Sequence, residues 1–115
     1  CLKNQLKKLK LIWDKNKCMT IVLCSKGYPG NYEKGRIIKI NKIKDNKNLF
    51  IIHAGTKLNN GSIYSAGGRV LNIVCRGQNF NKIRKKIIKL IKEINWKNGF
   101  YRKDIGWRVI EKLWE

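Results

Sequence analysis

The stretch 65-SAGGRVLNIVCRGQNFNKIRKKIIKLIKEINW-96 decides the fold, because two hydrophobic periods follow one another within it. Residues 69–77, RVLNIVCRG, form a short apolar run rich in β-branched residues and closed by a glycine, which reads as a strand. Asn79 is a helix N-cap, since its side chain can accept from an amide of the first turn. After it Phe80, Ile83, Ile87, Leu90, Ile91 and Ile94 recur at helical spacing, while Lys82, Lys85, Lys86, Lys89 and Lys92 take other positions. That is an amphipathic helix from about Asn79 to Ile94. A basic amphipathic helix can lie on a membrane surface. Packing against the sheet is the preferred reading, because the strands need a cover.

Upstream, LNNGSIYSAGG carries Asn60-Gly61, the strongest short hairpin signal, and 69–77 is its return partner or a neighbouring strand. Residues 49–55, LFIIHAG, read as a strand ending at His53 and Gly55. RIIKI (36–40) is a short strand, and CMTIVLC (18–24) is a continuous apolar run bounded by polar residues, hence a buried strand. KINKIKDNKN (39–48) is a solvated connection. Residues 2–12 place Leu2, Leu6, Leu9 and Ile12 at helical spacing and look like the last helix of a preceding domain. Downstream, Asp104 is placed to cap a short final helix. The expected architecture is α+β: a small antiparallel sheet covered by one long amphipathic helix.

The chain has 115 residues, enough for one domain with a modest core. Its 43% hydrophobic content excludes a disordered tail. Its apolar runs are far too short to span a bilayer. No signal peptide is visible at the start, and the opening at Cys1 suggests a piece of something longer. The four cysteines include no Cys-x-x-Cys pair, and a single His53 offers no partner at ligand spacing, which argues against zinc. Cys18, Cys24 and Cys75 sit in apolar strands, where reduced thiols pack as small hydrophobes, as suits the cytoplasm.

Twenty-seven Lys and Arg against seven acids give a formal net charge of +20. Such a balance suits a nucleic-acid partner. Lysine far exceeds arginine, however, and travels with Ile and Asn, the trio an AT-biased genome writes at permissive surface positions. No nucleic-acid motif accompanies it. A basic RNA- or DNA-binding module therefore stands as the alternative to the reading that the short polar motifs support.

Those motifs are GYPGNYEKG (27–35), HAGTKL (53–58), SAGGRVLNIVCRG (65–77) and FYRKDIGWR (100–108), in that order. Together they resemble the C-terminal domain of the phosphoribosylamine–glycine ligase family, ATP-grasp enzymes also called glycinamide ribonucleotide synthetases. The likeness runs from about Trp13 to about Arg108. It implies that residues 1–12 end a preceding ATP-grasp domain and that 13–115 form the C-terminal domain. It also implies an ATP-dependent carbon–nitrogen ligase of de novo purine synthesis, joining 5-phosphoribosylamine to glycine and giving ADP and phosphate. ATP and Mg²⁺ (or Mn²⁺) would be held by the upstream ATP-grasp region, with none held by this chain, so that the chain alone is inactive. The partners implied are the upstream ATP-grasp and N-terminal domains and small-molecule substrates, with no membrane and no specific nucleic acid. The seven acids agree in showing no paired-carboxylate motif, and no glycine-rich loop leads into Lys and Ser/Thr.

For substrate contacts the resemblance implies Tyr28, Pro29 and Gly30 in the first loop, His53, Thr56 and Lys57 at the second, and Gly67, Gly68 and Arg69 at the third. Each has a plainer reading. The first loop is equally a rigid hairpin turn whose tyrosines pack on the sheet. His53 serves as a hydrogen-bonded structural residue. Arg69 is the best single ligand, since a guanidinium fork suits phosphate and two glycines before it permit close approach. Asp104 caps a helix or pairs with Arg108 at i,i+4. Trp96, Trp107 and Trp114 are core or interdomain packing. Arg76, where the family usually has an apolar residue, leaves open an inactive remnant of a split ligase.

Overall fold

A computed structural model of the chain describes residues 2–40 and 46–111. Among the described residues the strands, numbered in chain order, are β1 (Lys17–Ser25), β2 (Ile37–Ile40), β3 (Leu49–His53), β4 (Thr56–Asn59), β5 (Ser62–Ser65), β6 (Arg69–Gly77), β7 (Ile94–Asn95) and β8 (Gly99–Phe100). Helix α1 spans Phe80–Glu93 and α2 spans Trp107–Glu111. The strands form two four-stranded antiparallel sheets, ordered β3-β6-β1-β8 and β4-β5-β2-β7. The expected α+β architecture and covering helix are present, with two sheets where one was expected.

Alternation explains the first sheet. Met19, Ile21 and Leu23 of β1 lie opposite Cys75, Ile73 and Leu71 of β6, and all six are buried. They form one face of the sheet. Against it α1 lays Ile83, Ile87 and Leu90, also buried, so the helical and strand periods meet in a single core. The Asn79 side chain accepts from the Lys82 amide at 3.1 Å and starts the helix as expected. At its other end α1 runs directly into β7, whose Ile94 and Asn95 pair with Ile40 and Lys39 of β2. The helix thereby ties the two sheets together, and Ile38 and Ile63 of the second sheet join the same core. Trp96 is buried there, its ring lying where a side chain on Gly99 would stand.

The second sheet is built on the predicted hairpin. Asn60 and Gly61 both have positive φ (50° and 76°), as a tight two-residue connection between β4 and β5 requires. The return strand is β5, and residues 69–77 leave to become a central strand of the other sheet. Strand β3 stops at His53, because Gly55 turns the chain toward β4.

Three further expectations differ from the structure. Residues 2–12 hold a single 3-10 turn at Leu6–Lys8, and Leu2, Leu6, Leu9 and Ile12 are exposed. A short lysine-rich helix is marginal without a surface on which to bury its apolar stripe, and none of the described residues supplies one. Cys18 is exposed, since it lies on the face of β1 away from α1; Cys24 is half-buried and Cys75 buried. Asp104 pairs with Arg102 at 2.7 Å, and it neither caps α2 with its side chain nor pairs with Arg108. Trp107 is exposed, Trp114 lies outside the described residues, and so do residues 41–45 of the connection expected at 39–48.

Candidate functional site

The face of the first sheet turned away from α1 carries Thr20, Val22 and Cys24, alternate residues of β1. With Tyr28, Pro29, Arg69, Phe100, Arg102 and Ile105 they line a cavity of about 330 Å³. Two arginines therefore border one largely apolar hollow. Arg102 is occupied: its guanidinium donates to both oxygens of Asp104, at 3.2 and 2.7 Å, which raises its own pKa and holds the Asp104 carboxyl below the usual range. Arg69 has no ion-pair partner among the described residues. Burial pushes the neighbouring Cys24 thiol up, and the positive charge of Arg69 partly offsets that.

Arg69 reaches this face through an irregularity. Along β1 and β6 the pairs run Ile21 with Ile73, Val22 with Asn72 and Leu23 with Leu71. The register then shifts, and Cys24 faces Arg69. Strict alternation would put Val70 on the cavity face and turn Arg69 toward the core. The shift instead buries Val70 and Leu71 as neighbours, both at 0% exposure, and sends Arg69 outward beside Cys24. A bulge re-aims a side chain in this way.

The backbone before Arg69 is held from two sides. Ser25 donates its hydroxyl to the Gly67 carbonyl and its amide to the Gly68 carbonyl, both at 2.8 Å. On the other side Gly55 donates to the Arg69 carbonyl at 3.1 Å and accepts from Ala66 at 2.7 Å. The two chains approach so closely that a Cβ on Gly55 would stand 2.7 Å from the Arg69 carbonyl oxygen. Glycine is the only residue for that crossing.

The first loop closes over the same strand end. Gly27 has φ +97°, and a Cβ there would fall 2.0 Å from the Asn31 carbonyl oxygen, so the turn requires glycine. The Tyr28–Pro29 peptide is cis. The Tyr28 ring lies directly over Gly68, where a Cβ would come within 2.3 Å of it. The room left by Gly68, expected for a phosphate, is thus filled by Tyr28 from within the chain. Tyr32 stands beside Tyr28, with ring centres 6.3 Å apart. Glu33 closes the loop by accepting from Arg36 and from Asn98, each at 3.2 Å. Burial raises the Glu33 pKa, but these bonds together with the charges of Arg36 and Lys26 bring it below the usual value.

The structure thus brings Tyr28, Pro29 and Arg69 into one cavity, with Gly67 and Gly68 behind it and Gly30 in the same turn. The second motif stands apart. His53 Nδ1 lies 3.2 Å from Thr56 Oγ1, and both His53 and Lys57 are exposed outside the cavity lining. Their turn buttresses the back of Arg69 through Gly55. Sequence reasoning missed Thr20, Val22, Cys24, Phe100, Arg102 and Ile105 as lining residues. Alternation along β1 marks the first three, but a continuous apolar run reads as a strand buried on both faces and hides it. Among the described residues no group of three His, Cys, Asp or Glu could hold a metal ion, and Glu33 and Asp104 are already engaged by arginines. This donor set does not fit Mg²⁺.

Comparison with known proteins bears on this geometry. Residues 18–108 match the model of the family described as phosphoribosylglycinamide synthetase, C domain. The chain is 38% identical over 113 residues to the chloroplastic phosphoribosylamine–glycine ligase of Arabidopsis thaliana, a match covering 96% of this chain and 21% of that protein. It is 37% identical over 109 residues to the Brucella melitensis phosphoribosylamine–glycine ligase, covering 94% and 26%. The crystal structure of phosphoribosylamine–glycine ligase from Thermotoga maritima superposes with a TM-score of 0.67 at 29% identity, over 76% of this chain and 21% of that one. The chain therefore spans between a fifth and about a quarter of the length of these relatives.

Proposed function

Because this chain belongs to the family of phosphoribosylglycinamide synthetase C domains, we propose that it works as one wall of the active site of a complete phosphoribosylamine–glycine ligase. In that reaction glycine is activated by ATP as an acyl phosphate, and the amine of 5-phosphoribosylamine attacks it. Neither the nucleotide nor the metal is assigned to this chain, whose acids do not form a metal cluster among the described residues. Its contribution is to bind and enclose. An acyl phosphate must be kept from water, and a domain closing over the cleft excludes it. The partner of the cavity face is accordingly the ATP-grasp part of the same enzyme. The three described cysteines are free thiols, which suits a reducing compartment such as the cytoplasm.

Within that wall we assign Arg69 to the 5-phosphate of phosphoribosylamine. The observation that carries this is the contrast between the two cavity arginines: Arg102 is neutralised by Asp104, and Arg69 is turned outward with no carboxylate partner among the described residues. A guanidinium fork matches phosphate oxygens, and losing a charge-assisted contact costs roughly 1.5–3 kcal/mol. In the complete ligase Arg69→Ala should raise the KM for phosphoribosylamine about tenfold or more and leave the KM values for glycine and ATP nearly unchanged. Arg69→Lys should recover only part of the loss, because a point charge does not replace the fork. Equal losses for all three substrates would instead indicate misfolding. No loss at all would return Arg69 to solvent.

A further inference from the structure

We infer that Ser25 is a positioning residue for Arg69: its side chain holds the glycine pair that fixes where the guanidinium emerges. This rests on the reading of Arg69 as a phosphate ligand and adds a residue that none of the four motifs contains.

Ser25 is anomalous in residue type for its place in the strand. Ser25 continues the series Met19, Ile21 and Leu23, the core-facing positions of β1, and is itself 1% exposed. An apolar side chain belongs in that row, and a buried hydroxyl there is unfavourable unless it is bonded. It is bonded, and to one place. The hydroxyl donates to Gly67, the amide donates to Gly68, and the Ser25 carbonyl accepts from Tyr28 at 3.1 Å. All the polar groups of Ser25 thus go to the two segments that shape the site: the Gly67-Gly68 backbone leading into Arg69 and the loop whose Tyr28 ring covers Gly68.

Ser25 stands one residue beyond the register shift that puts Cys24 opposite Arg69. Past a bulge the regular ladder no longer dictates where the partner strand lies. Ser25 supplies a second, side-chain bond at that spot in addition to its amide, so the strand end is held by two bonds from one residue. On the opposite side Gly55 holds the Ala66 amide and the Arg69 carbonyl. Glycines 67 and 68 are the most flexible links in the segment, and they lie between these two anchors. Without the hydroxyl the Gly67 carbonyl loses its donor, the glycine pair gains freedom, and the guanidinium is no longer held at one distance from its ligand. Small displacements of a binding group have large kinetic consequences.

A double-mutant cycle in the complete ligase tests this. Ser25→Ala should raise the KM for phosphoribosylamine about three- to tenfold, with kcat and the KM values for glycine and ATP changed by less than about twofold. Ser25→Thr, which keeps the hydroxyl, should restore most of the affinity. In an Arg69→Ala background Ser25→Ala should add less than about a further twofold, because its effect runs through the guanidinium that is gone. If the alanine variant does not fold, Ser25→Cys, close in size and a poor donor, takes its place. A normal KM for Ser25→Ala beside a raised KM for Arg69→Ala would overturn this inference and leave the assignment of Arg69 standing. So would full additivity of the two substitutions. A normal KM for Arg69→Ala itself would remove the phosphate assignment, and Ser25 with it.

Discussion

The two ends of strand β6 have the same neighbours and opposite designs. At its C-terminal end Ile73 and Cys75 pair in register with β1 and β3, and the chain passes through a capped turn into α1. Packing there is continuous: Ile73, Ile83 and Ile87 are 2% exposed or less. At the N-terminal end the register breaks, two glycines replace side chains, a buried serine replaces an aliphatic residue, and an arginine is turned into a hollow. One end is optimised for burial. The other departs from regular pairing and turns a single charged side chain outward, the kind of local departure that the proposed role of Arg69 would account for. The contrast implies that substitutions at the first end should act on stability, and those at the second chiefly on binding.

The largest effect should come from the packed end. Ile87→Ala removes a fully buried side chain between α1 and the first sheet and should cost roughly 2–5 kcal/mol. A denaturation midpoint unchanged from the parent would take α1 out of the core and dissolve the comparison. At the other end Gly68→Ala drives a methyl into the Tyr28 ring and should cost about 1–3 kcal/mol as an overpacking change. It should also weaken phosphoribosylamine binding by more than Ile87→Ala does, since the displaced ring lines the cavity. Adding Tyr28→Ala should recover stability by giving the methyl room, a recovery read from thermal midpoints. If Gly68→Ala is as stable as the parent, Tyr28 does not rest on Gly68, and the site end is loosely packed.

The packed end was also the legible end. Six apolar residues at helical spacing and Asn79 marked α1 to within a residue of its observed limits, and Asn60-Gly61 marked the β4–β5 turn. Both are local signals, each set by a few neighbouring residues. What escaped depends on partners distant in sequence. That 69–77 pairs with 17–25 and not with the adjacent hairpin is a tertiary choice, so two sheets were read as one. The register shift at Leu23 and Cys24 has no local mark either, because Val70 and Leu71 look like ordinary strand residues until their burial is known. Ser25 was invisible for the same reason: its meaning lies in a carbonyl 42 positions away. The apolar period at 2–12 misled in the opposite sense, since it describes a face that the described residues leave uncovered.

For the candidate site the sequence supplied residue types without geometry. Arg69, Tyr28 and Pro29 were named by resemblance and do share a cavity, while His53 and Lys57 were named with them and lie outside its lining. The glycine pair was noticed for the space it leaves, and only the fold shows that Tyr28 and Gly55 use that space.

Whether Arg69 holds the substrate phosphate is tested most simply by a crystal structure of the complete ligase with its 5-phosphoribosyl product bound. The product phosphate should lie at the mouth of the cavity, with guanidinium nitrogens of Arg69 about 2.7–3.1 Å from its oxygens and the Asp104–Arg102 pair intact beside it. A phosphate held by another domain, with Arg69 more than about 6 Å away and the hollow between Val22, Phe100 and Ile105 filled by an apolar side chain of that domain, would contradict it.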